Sequence, residues 1–565
     1  MIDKIAKYFL ILLGTIVWSL TMVKSGLVYD YGMGFWGANG HDAIWHISLA
    51  ESIAKGSKEM PIYSGEEIKN YHLGFSFLVA TIHNLTKIPI INIYFHILPP
   101  VLAFFIGFLA YKFVFEWKKS HGSAMWAVFF VYFGGSWGWL VGFFRTGNFG
   151  GESMFWSQQG ISTLINPPFA LSLILMLLAL IFANYGIARN NKLSLFLASI
   201  IFGFLVQIKA YSGLLVVFGF VVSSLYMAFF SRKYFLLPFS FFSLAILFIF
   251  LIPFLGKEST FIWQPFWFLE SMVALSDRLG WDKYYSAMTN YRLSGDYLKV
   301  ALAYGIAFII FFVGNSGTRI LGVWEIMKSF RNLTNIDWIS VFVFSILIVG
   351  TVIPTFFVQI GTPWNSIQFF YYSIFFLGIL SGIAFSNFLE NVRVLLIKVI
   401  LSIVLIFLTL PTTIFALNQY LPDRPPAKLS IYELEALSFL ALQEDGVVLT
   451  YPFDRQKAYD AMSNPPRPLY LYESTAYVSA FSKKPTFLED EVNLDITNFN
   501  WRQRRKMVED FLLEDEADKA QKFLKDNNIK YIYWIKGQRA RLGESQLGIY
   551  RIFENQEVDI YKVSE

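Results

Sequence analysis

The run His41-Asp42-Ala43-Ile44-Trp45-His46 lies just beyond the first apolar stretch of the chain, where a membrane surface is expected. It places a carboxylate beside one imidazole and four residues before another. On a helix, Asp42 and His46 would share one face and could hold a hydroxyl group or a metal ion between them. The alternative is that Asp42 caps a surface helix that runs to about residue 54.

The composition around this run is that of a membrane protein. The 565 residues are 55% hydrophobic and 15% charged, whereas soluble domains carry about 25% charged residues. The chain has no cysteine, which excludes disulfides and thiolate chemistry. Its net charge of +5 is modest and follows from membrane topology, so no nucleic-acid partner is expected.

Eleven apolar stretches are long enough to cross about 30 Å of hydrocarbon. They cover roughly residues 6–27, 93–115, 123–144, 167–188, 193–209, 211–230, 234–254, 300–322, 338–358, 367–387 and 394–416. Lys and Arg are concentrated in alternate connections, so the positive-inside rule places the N-terminus inside. Because the number of spans is odd, the C-terminal part is then expected outside, together with the run around Asp42. Abundant Phe, Ile, Lys and Asn favour a bacterial cytoplasmic membrane.

Two domains are predicted, an α-helical polytopic membrane domain over residues 1–417 and an extracytoplasmic α/β domain over residues 418–565. The outer loops of the membrane domain are residues 28–92, 145–166, 255–299 and 359–366. The first loop is expected to contain two helices at the membrane surface, about 42–54 and 73–86. In the α/β domain, helices are predicted near 430–443 and 500–526, and strands at 447–451, 531–535, 549–553 and 558–563. The acidic stretch Glu489-Asp490-Glu491 with Asp495 could bind a cation or a sugar, and a solvated face of that domain is the simpler alternative.

Candidate binding residues lie where apolar stretches meet the outer loops. Tyr71 and His72 precede the second surface helix, and interfacial anchoring is their alternative role. Glu152 is the sole acid of the second loop. Lys209 lies at the outer turn between two apolar stretches, where an ionisable side chain either faces a cavity or partner or extends to the membrane surface.

The last two outer loops add arginine, indole and amide groups. Arg278 and Arg292 lie among tryptophans, and a guanidinium pairs bidentately with the phosphate oxygens of a lipid head group. Trp364, Asn365 and Gln368 could stack on a sugar ring and hydrogen-bond to it. Plain membrane anchoring and an aromatic belt are the alternatives for these two groups.

In layout more than in sequence, residues 1–416 resemble the GT-C superfamily of integral-membrane glycosyltransferases, which take sugars from polyprenyl-phosphate donors. The resemblance rests on a first helix, a long outer loop with an acid near its start (Asp42), and an acid in the second outer loop (Glu152). An appended α/β domain is also found in many members, and the layout is similar to that of mannosyltransferases and aminoarabinose transferases. Where members often have an Asp-Glu or Asp-Asp pair, this chain has His41-Asp42, so the sequence leaves a divalent metal cofactor open.

The resemblance implies inverting transfer of a sugar from a polyprenyl-phosphate donor to an extracytoplasmic acceptor, which could be a lipid, a glycan or a protein. Asp42 would be the catalytic base, and His41 or His46 would orient it or share its proton. Glu152 would orient the acceptor or a sugar hydroxyl. The charge that develops on the leaving lipid phosphate would be neutralised by basic residues. The candidates are Lys209, Arg278 and Arg292.

Two other classes of protein fit the same composition. A transporter would show inverted repeats and interrupted helices in corresponding halves, and the sequence shows neither. An inactive scaffold among membrane lipids would have the same spans and the same outer domain. In a scaffold, replacing Asp42 would change only stability.

Overall fold

The computed structural model describes residues 2–252 and 261–564, with the side chains of the first three of these left out. The chain forms two units. The helical unit comprises Met1–Thr21 and Pro99–Gln419, and the mixed unit comprises Met22–Leu98 and Tyr420–Glu565. The first outer loop therefore belongs with the C-terminal region, whereas the sequence placed the only boundary at residues 417 and 418.

The helical unit consists of apolar α-helices joined by short turns and 3-10 helices. The α-helices are Ile2–Ser19, Leu98–Lys118, His121–Phe133, Gly138–Thr146, Pro167–Arg189, Lys192–Ile208, Ala210–Ser231, Leu237–Leu251, Trp267–Ala274, Asp282–Leu293, Tyr297–Ser316, Gly322–Ser329, Trp338–Phe356, Gln368–Asn391, Leu395–Thr409 and Pro411–Leu417. One short antiparallel pair joins Phe261–Trp263 to Phe357–Gln359.

Eight helices in the described ranges are long and apolar enough to cross a membrane, or nine if the pair His121–Phe133 and Gly138–Thr146, bent by 44°, forms one span. These helices coincide with predicted spans, and the chain is a multi-pass membrane protein. The first and fifth predicted spans correspond to the shorter apolar helices Ile5–Ser19 and Lys192–Ile208. The end of the seventh span and the start of the third outer loop, residues 253–260, lie outside the described residues.

The helix Gln368–Asn391 is the centre of the helical unit, because 94% of the apolar window in its span is buried. Small residues let a neighbouring helix approach it closely. A Cβ atom added at Gly382 would lie 2.2 Å from the backbone nitrogen of Ala127, on helix His121–Phe133. That helix is also fixed to the first helix, since Trp18 Nε1 donates to the carbonyl oxygen of Tyr132 at 2.8 Å.

The mixed unit contains two four-stranded sheets with helices around them. The strands of the first sheet, in spatial order, are Val28–Tyr29, Gly32–Phe35, Ala427–Leu429 and Arg467–Pro468. Those of the second are Val447–Thr450, Ile529–Ile535, Val558–Val563 and Ile549–Glu554. The α-helices are Asp42–Ala54, Gly74–Thr86, Ile90–Asn92, Ile431–Ala441, Arg455–Asp460, Tyr477–Ser482, Glu491–Ile496, Trp501–Leu513, Ala517–Asp526 and Glu544–Leu547.

The second sheet and the helices around it confirm the predicted α/β pattern, with bounds that differ by a few residues. In that sheet Val447–Thr450 and Ile529–Ile535 are parallel, and the other pairings are antiparallel. The first sheet was not predicted. Its strands are two to four residues long, which is too short to show the alternation of apolar and polar residues that indicates a strand.

The first outer loop is joined to the C-terminal region by polar contacts as well as by this sheet. The hydroxyl groups of Ser48 and Ser479 lie 2.8 Å apart. Lys483 Nζ lies 3.3 Å from Glu51 Oε2. The helix Asp42–Ala54 was expected to lie on the membrane surface, but most of its residues are buried within the mixed unit. It is a core helix of that unit.

Candidate functional site

The helix Asp42–Ala54 begins at the candidate base itself, and His41 precedes it as the N-cap residue. His41 Nδ1 lies 3.0 Å from Asp42 Oδ1, within hydrogen-bond distance. The His41 side chain is 10% exposed and the Asp42 side chain is 51% exposed. A buried ring therefore holds a carboxylate that remains accessible to a substrate.

The other side of the His41 ring faces a buried carboxylate. His41 Nε2 lies 3.4 Å from Asp490 Oδ1. Asp490 in turn accepts hydrogen bonds from the backbone nitrogen of Asn493 at 3.1 Å and from its Nδ2 at 2.8 Å. Glu473 Oε2 lies 4.0 Å from His41 Nδ1. Three carboxylates thus surround one imidazole.

These carboxylates decide the protonation state of His41. Burial on its own lowers the pKa of the ring, because it disfavours the charged form. The charge of Asp490 and the hydrogen bond to Asp42 act in the opposite direction, and the pKa of His41 is raised well above 6.5. Both ring nitrogens face a carboxylate, and this arrangement favours the protonated form of the ring.

The backbone that leads into His41 is fixed by the residues before it. The Ser25 hydroxyl accepts from the backbone nitrogen of Trp36 and from Asn39 Nδ2, both at 3.0 Å. The Tyr472 hydroxyl donates to the carbonyl oxygen of Gly37 at 3.1 Å. The turn that carries the histidine is thus held from both parts of the mixed unit.

His46, Tyr71 and His72 lie in an aromatic cluster in the same unit. The His46 ring is 6.1 Å from the Tyr71 ring and 6.2 Å from the Tyr94 ring, measured between centroids. Tyr71 and His72 stack at 4.6 Å. Packing among aromatic rings is typical of a histidine in a protein core. The role of His46 in sharing a proton stays a prediction.

Lys209 occupies the break between helices Lys192–Ile208 and Ala210–Ser231, where its backbone is extended. Its side chain is buried, and Nζ lies 3.4 Å from Asn166 Oδ1. The adjacent Tyr211 hydroxyl donates to Gln359 Oε1 at 2.7 Å. The ammonium group lies at the N-terminus of a 22-residue helix, whose dipole also favours an anion.

Glu152 belongs to a hydrogen-bond network that holds the second outer loop. Glu152 Oε1 accepts from the backbone nitrogen of Gln159 at 2.9 Å, and the Gln159 side chain accepts from the buried Arg319. Arg319 also donates to the carbonyl oxygen of Asn315 at 2.8 Å. Burial raises the pKa of Glu152 above 4.5. These contacts show a structural role, and its predicted part in orienting the acceptor stays a prediction.

The two predicted arginines have different surroundings. The Arg278 guanidinium lies 4.3 Å from the centre of the Trp156 ring and 3.3 Å from Asp277. Arg292 forms an ion pair with Glu270, which also accepts from the Tyr304 hydroxyl. The charge of Arg292 is therefore already matched within the protein.

The amide and indole groups of the fourth outer loop form one turn before helix Gln368–Asn391. Asn365 Nδ2 donates to the Thr362 hydroxyl at 3.0 Å, and Gln368 Nε2 donates to Asn365 Oδ1 at 3.4 Å. The Trp364 ring is about half exposed. The turn thus presents an accessible indole beside ordered amides, as a sugar contact requires.

The predicted residues fall into two groups according to unit. The mixed unit holds His41, Asp42, His46, Tyr71 and His72, and the helical unit holds Glu152, Lys209, Arg278, Arg292, Trp364, Asn365 and Gln368. In residues 2–252 and 261–564, no group of three His, Asp or Glu side chains has the arrangement of a metal site.

Asp490 and Glu473 were not predicted to lie beside His41. The interpretation of the run Glu489-Asp490-Glu491 as a solvated face was wrong, because all three residues are buried. Acidic runs are usually exposed, and nothing in the sequence pairs this run with a histidine far away along the chain.

No protein-family model matches the sequence, and no curated protein sequence matches it. Solved structures do match. The oligosaccharyltransferase AglB from Archaeoglobus fulgidus, in complex with an inhibitory peptide and a dolichol-phosphate, is similar with a TM-score of 0.50 at 11% identity, over 94% of this chain and 69% of that chain. The same enzyme in the apo form gives a TM-score of 0.51 over the same shares.

A second similar structure is the arabinofuranosyltransferase AftD from Mycobacteria. It has a TM-score of 0.50 at 11% identity, over 99% of this chain and 40% of that chain. At such low identity the likeness concerns the fold. Taken with the apolar helices, these matches show that this membrane protein has a fold similar to that of these two transferases.

Proposed function

We propose that this chain is an inverting glycosyltransferase that moves a sugar from a polyprenyl-phosphate donor to an acceptor hydroxyl at the outer face of the membrane. The observation that carries the proposal is the half-exposed Asp42 carboxylate, held at 3.0 Å by the buried His41 ring. The GT-C fold supports it, and so does the dolichol-phosphate bound to the archaeal oligosaccharyltransferase of similar fold.

In the proposed reaction Asp42 takes the proton of the acceptor hydroxyl as that oxygen attacks the anomeric carbon. The new bond forms while the bond from the anomeric carbon to the phosphate oxygen breaks, and its electron pair leaves with the lipid phosphate. A positioned base contributes roughly 10²- to 10⁴-fold to such a reaction. His41 acts as a positioning residue, because it is hydrogen-bonded to the base and fixed by Asp490 from behind.

The leaving phosphate needs positive charge as its own charge develops. We assign this role first to Lys209, which is buried at the N-terminus of a long helix beside Tyr211. Arg278 is the second candidate. Arg292 is the third; it is paired with Glu270, as Arg278 is with Asp277.

The acceptor is proposed to lie outside because the charge distribution favours that side for the mixed unit. Residues 418–565 hold 20 Lys and Arg against 24 Asp and Glu, while the rest of the chain is basic. By the positive-inside rule, basic connections stay in the cytoplasm. A bacterial cytoplasmic membrane with the mixed unit outside is the corresponding location.

The test is transfer of radiolabelled sugar from a panel of polyprenyl-phosphate hexoses and pentoses by the purified protein in lipid nanodiscs. Asp42→Asn keeps the size of the side chain but removes the base. We expect its rate to fall by roughly 100-fold or more. The matched control is Asp510→Asn, at an exposed acid of helix Trp501–Leu513, and it should transfer as the wild type does.

Two results would count against the proposal. Equal rates for Asp42→Asn and wild type would remove Asp42 as the base. No transfer by the wild-type protein with any donor of the panel would favour a scaffold or a transporter.

A further inference from the structure

The mixed unit contains a cavity of about 280 Å³ that the proposed chemistry does not use. It lies at the carboxyl ends of Val447–Thr450 and Ile529–Ile535, which are neighbouring parallel strands. In sheets with parallel strands, ligands bind at this edge. The volume is just below the range of about 300–1,000 Å³ for sites that bind drug-sized ligands, so it suits a single sugar ring.

Most of the carboxyl groups in the cavity wall already have hydrogen-bond or ion-pair partners within the protein. Glu489 accepts from the backbone nitrogens of Val478 and Ser479 at 2.7 and 3.0 Å. Asp490 accepts from Asn493 and faces the His41 ring. These two carboxyl groups therefore give the cavity little attraction for a cation.

The other two matched acids, Glu491 and Asp454, have basic neighbours. Glu491 pairs with Arg505 and lies 3.4 Å from Arg455. Asp454 caps helix Arg455–Asp460 and lies 3.6 Å from Lys457 Nζ. With four of the five acids matched in this way, the cavity is suited to a neutral polar ligand.

Glu473 and Thr475 are two polar residues of the wall that suit such a ligand. The Glu473 side chain is 52% exposed. The Thr475 side chain is 3% exposed, and its hydroxyl has no hydrogen-bond partner among the described residues. A buried hydroxyl without a partner costs about 1–3 kcal/mol, and a ligand in the cavity would supply the missing partner.

Aromatic rings form much of the remaining wall. Phe453, Tyr470, Tyr477 and Tyr533 all line the cavity. The faces of such rings pack against the apolar C–H face of a sugar, while a carboxylate accepts from its hydroxyls. The Glu473 carboxylate, the Thr475 hydroxyl and several aromatic rings are groups that can recognise a neutral saccharide.

The cavity shares two of its wall residues with the candidate base. Glu473 and Asp490 line the cavity and lie 4.0 and 3.4 Å from the His41 ring, which holds Asp42. A ligand that contacts Glu473 would therefore contact a carboxylate that also lies beside the His41 ring.

We propose that this cavity is a subsite for a sugar residue of the acceptor, which makes the acceptor a glycan or a glycolipid. This rests on the proposed function. The sugar donates from its hydroxyls to Glu473 and accepts from the Thr475 hydroxyl, and one ring face packs on tyrosine. A second sugar hydroxyl, on the next residue of the acceptor, is the one that reaches Asp42.

The test is saturation-transfer NMR on the wild-type protein in nanodiscs, without donor, with a panel of methyl glycosides of hexopyranoses, N-acetylhexosamines and pentofuranoses. At least one glycoside should bind. Thr475→Val removes the hydroxyl and keeps the shape of the side chain, so the variant should fold. It should weaken binding roughly threefold to tenfold, and Glu473→Gln should do the same.

The matched controls are Thr86→Val and Glu67→Gln, at exposed positions of the mixed unit outside the cavity, and both should bind as the wild type does. The subsite is overturned if no glycoside of the panel binds, or if the two cavity variants bind with unchanged affinity.

Failure of the subsite and failure of the proposed function give different results. Transfer that depends on Asp42 but is insensitive to Thr475→Val would leave the transferase and remove the subsite. Binding that is weakened by Thr475→Val, without transfer from any donor, would leave a sugar site and remove its role as an acceptor subsite.

Discussion

His41 Nε2 lies 3.4 Å from Oδ1 of Asp490, a carboxylate with no exposed surface. Two residues that are far apart in the sequence thus form a buried ion pair directly behind the candidate base. Removing one partner of such a pair is strongly destabilising, because an uncompensated charge remains. The pair therefore links the geometry of Asp42 to the stability of the mixed unit.

The stability of the protein should depend on the protonation of His41. Because the folded state raises the pKa of His41 well above 6.5, the folded protein holds this proton more tightly than the unfolded chain does. The stabilisation is present in full below about pH 6.5 and is lost as the pH rises through the folded-state pKa. Melting temperatures of the purified protein from pH 6 to 10 should fall accordingly.

His41→Gln should remove this part of the pH dependence and lower the melting temperature at pH 6. His83→Gln, at a histidine whose Nδ1 lies 2.7 Å from the backbone carbonyl oxygen of Ile88, is the matched control and should keep the slope. An unchanged slope in His41→Gln would show that the ring is not the titrating group.

The ionisation of Glu433 should make the stability of the protein depend on pH over a second, separate pH range. Burial raises the pKa of this carboxyl to about 8, so it is protonated in the folded state when the same group in the unfolded chain is ionised. Stability should then fall as the pH rises from about 4.5 to about 8. Denaturant titrations of Glu433→Gln should show a smaller fall over that range, whereas the exposed Glu435→Gln should behave as the wild type.

Lys209→Met should raise the KM for the donor and leave the KM for the acceptor unchanged, if Lys209 binds the lipid phosphate. A hydrogen bond to a charged group contributes about 1.5–3 kcal/mol, so the KM for the polyprenyl-phosphate donor should rise roughly tenfold to a hundredfold. Initial rates at varied donor and acceptor concentrations measure this. Lys192→Met, at an exposed lysine, is the control, and an equal change in both KM values would contradict the assignment.

Arg292→Gln should leave the KM for the donor unchanged. The guanidinium is already paired with Glu270, and it is half exposed, so the loss of stability should be at most about 1 kcal/mol. The same kinetic assay, with Arg278→Gln in parallel, measures the difference between the two arginines. A large rise in donor KM for Arg292→Gln would show that the pair opens to bind phosphate.

The sequence predicted the elements that have a strong repeating pattern. The apolar stretches coincide with the spanning helices, and the helix at Asp42 begins at the residue expected. The alternation of apolar residues located the strand Val558–Val563 without error in its bounds. In each case the pattern of apolar residues is local, because the periods of helices and strands appear among neighbouring residues.

The parts that could not be predicted depend on contacts between distant segments. Asp490 is placed beside His41 by the fold of the mixed unit, and its own neighbours in the sequence give no sign of it. Thr475 is another such case, since the burial of a single hydroxyl is not visible in a sequence. Grouping of the first outer loop with the C-terminal region likewise follows from short strands such as Gly32–Phe35, which pair with Ala427–Leu429.

That pairing also sets the order of events when the protein is made. The ribosome completes Asp42 long before it reaches the strand Ala427–Leu429 and the carboxylate of Asp490. Until then the first loop has neither its sheet partner nor the counter-ion of its histidine. A nascent chain therefore carries the candidate base without its support until residue 490 has been added.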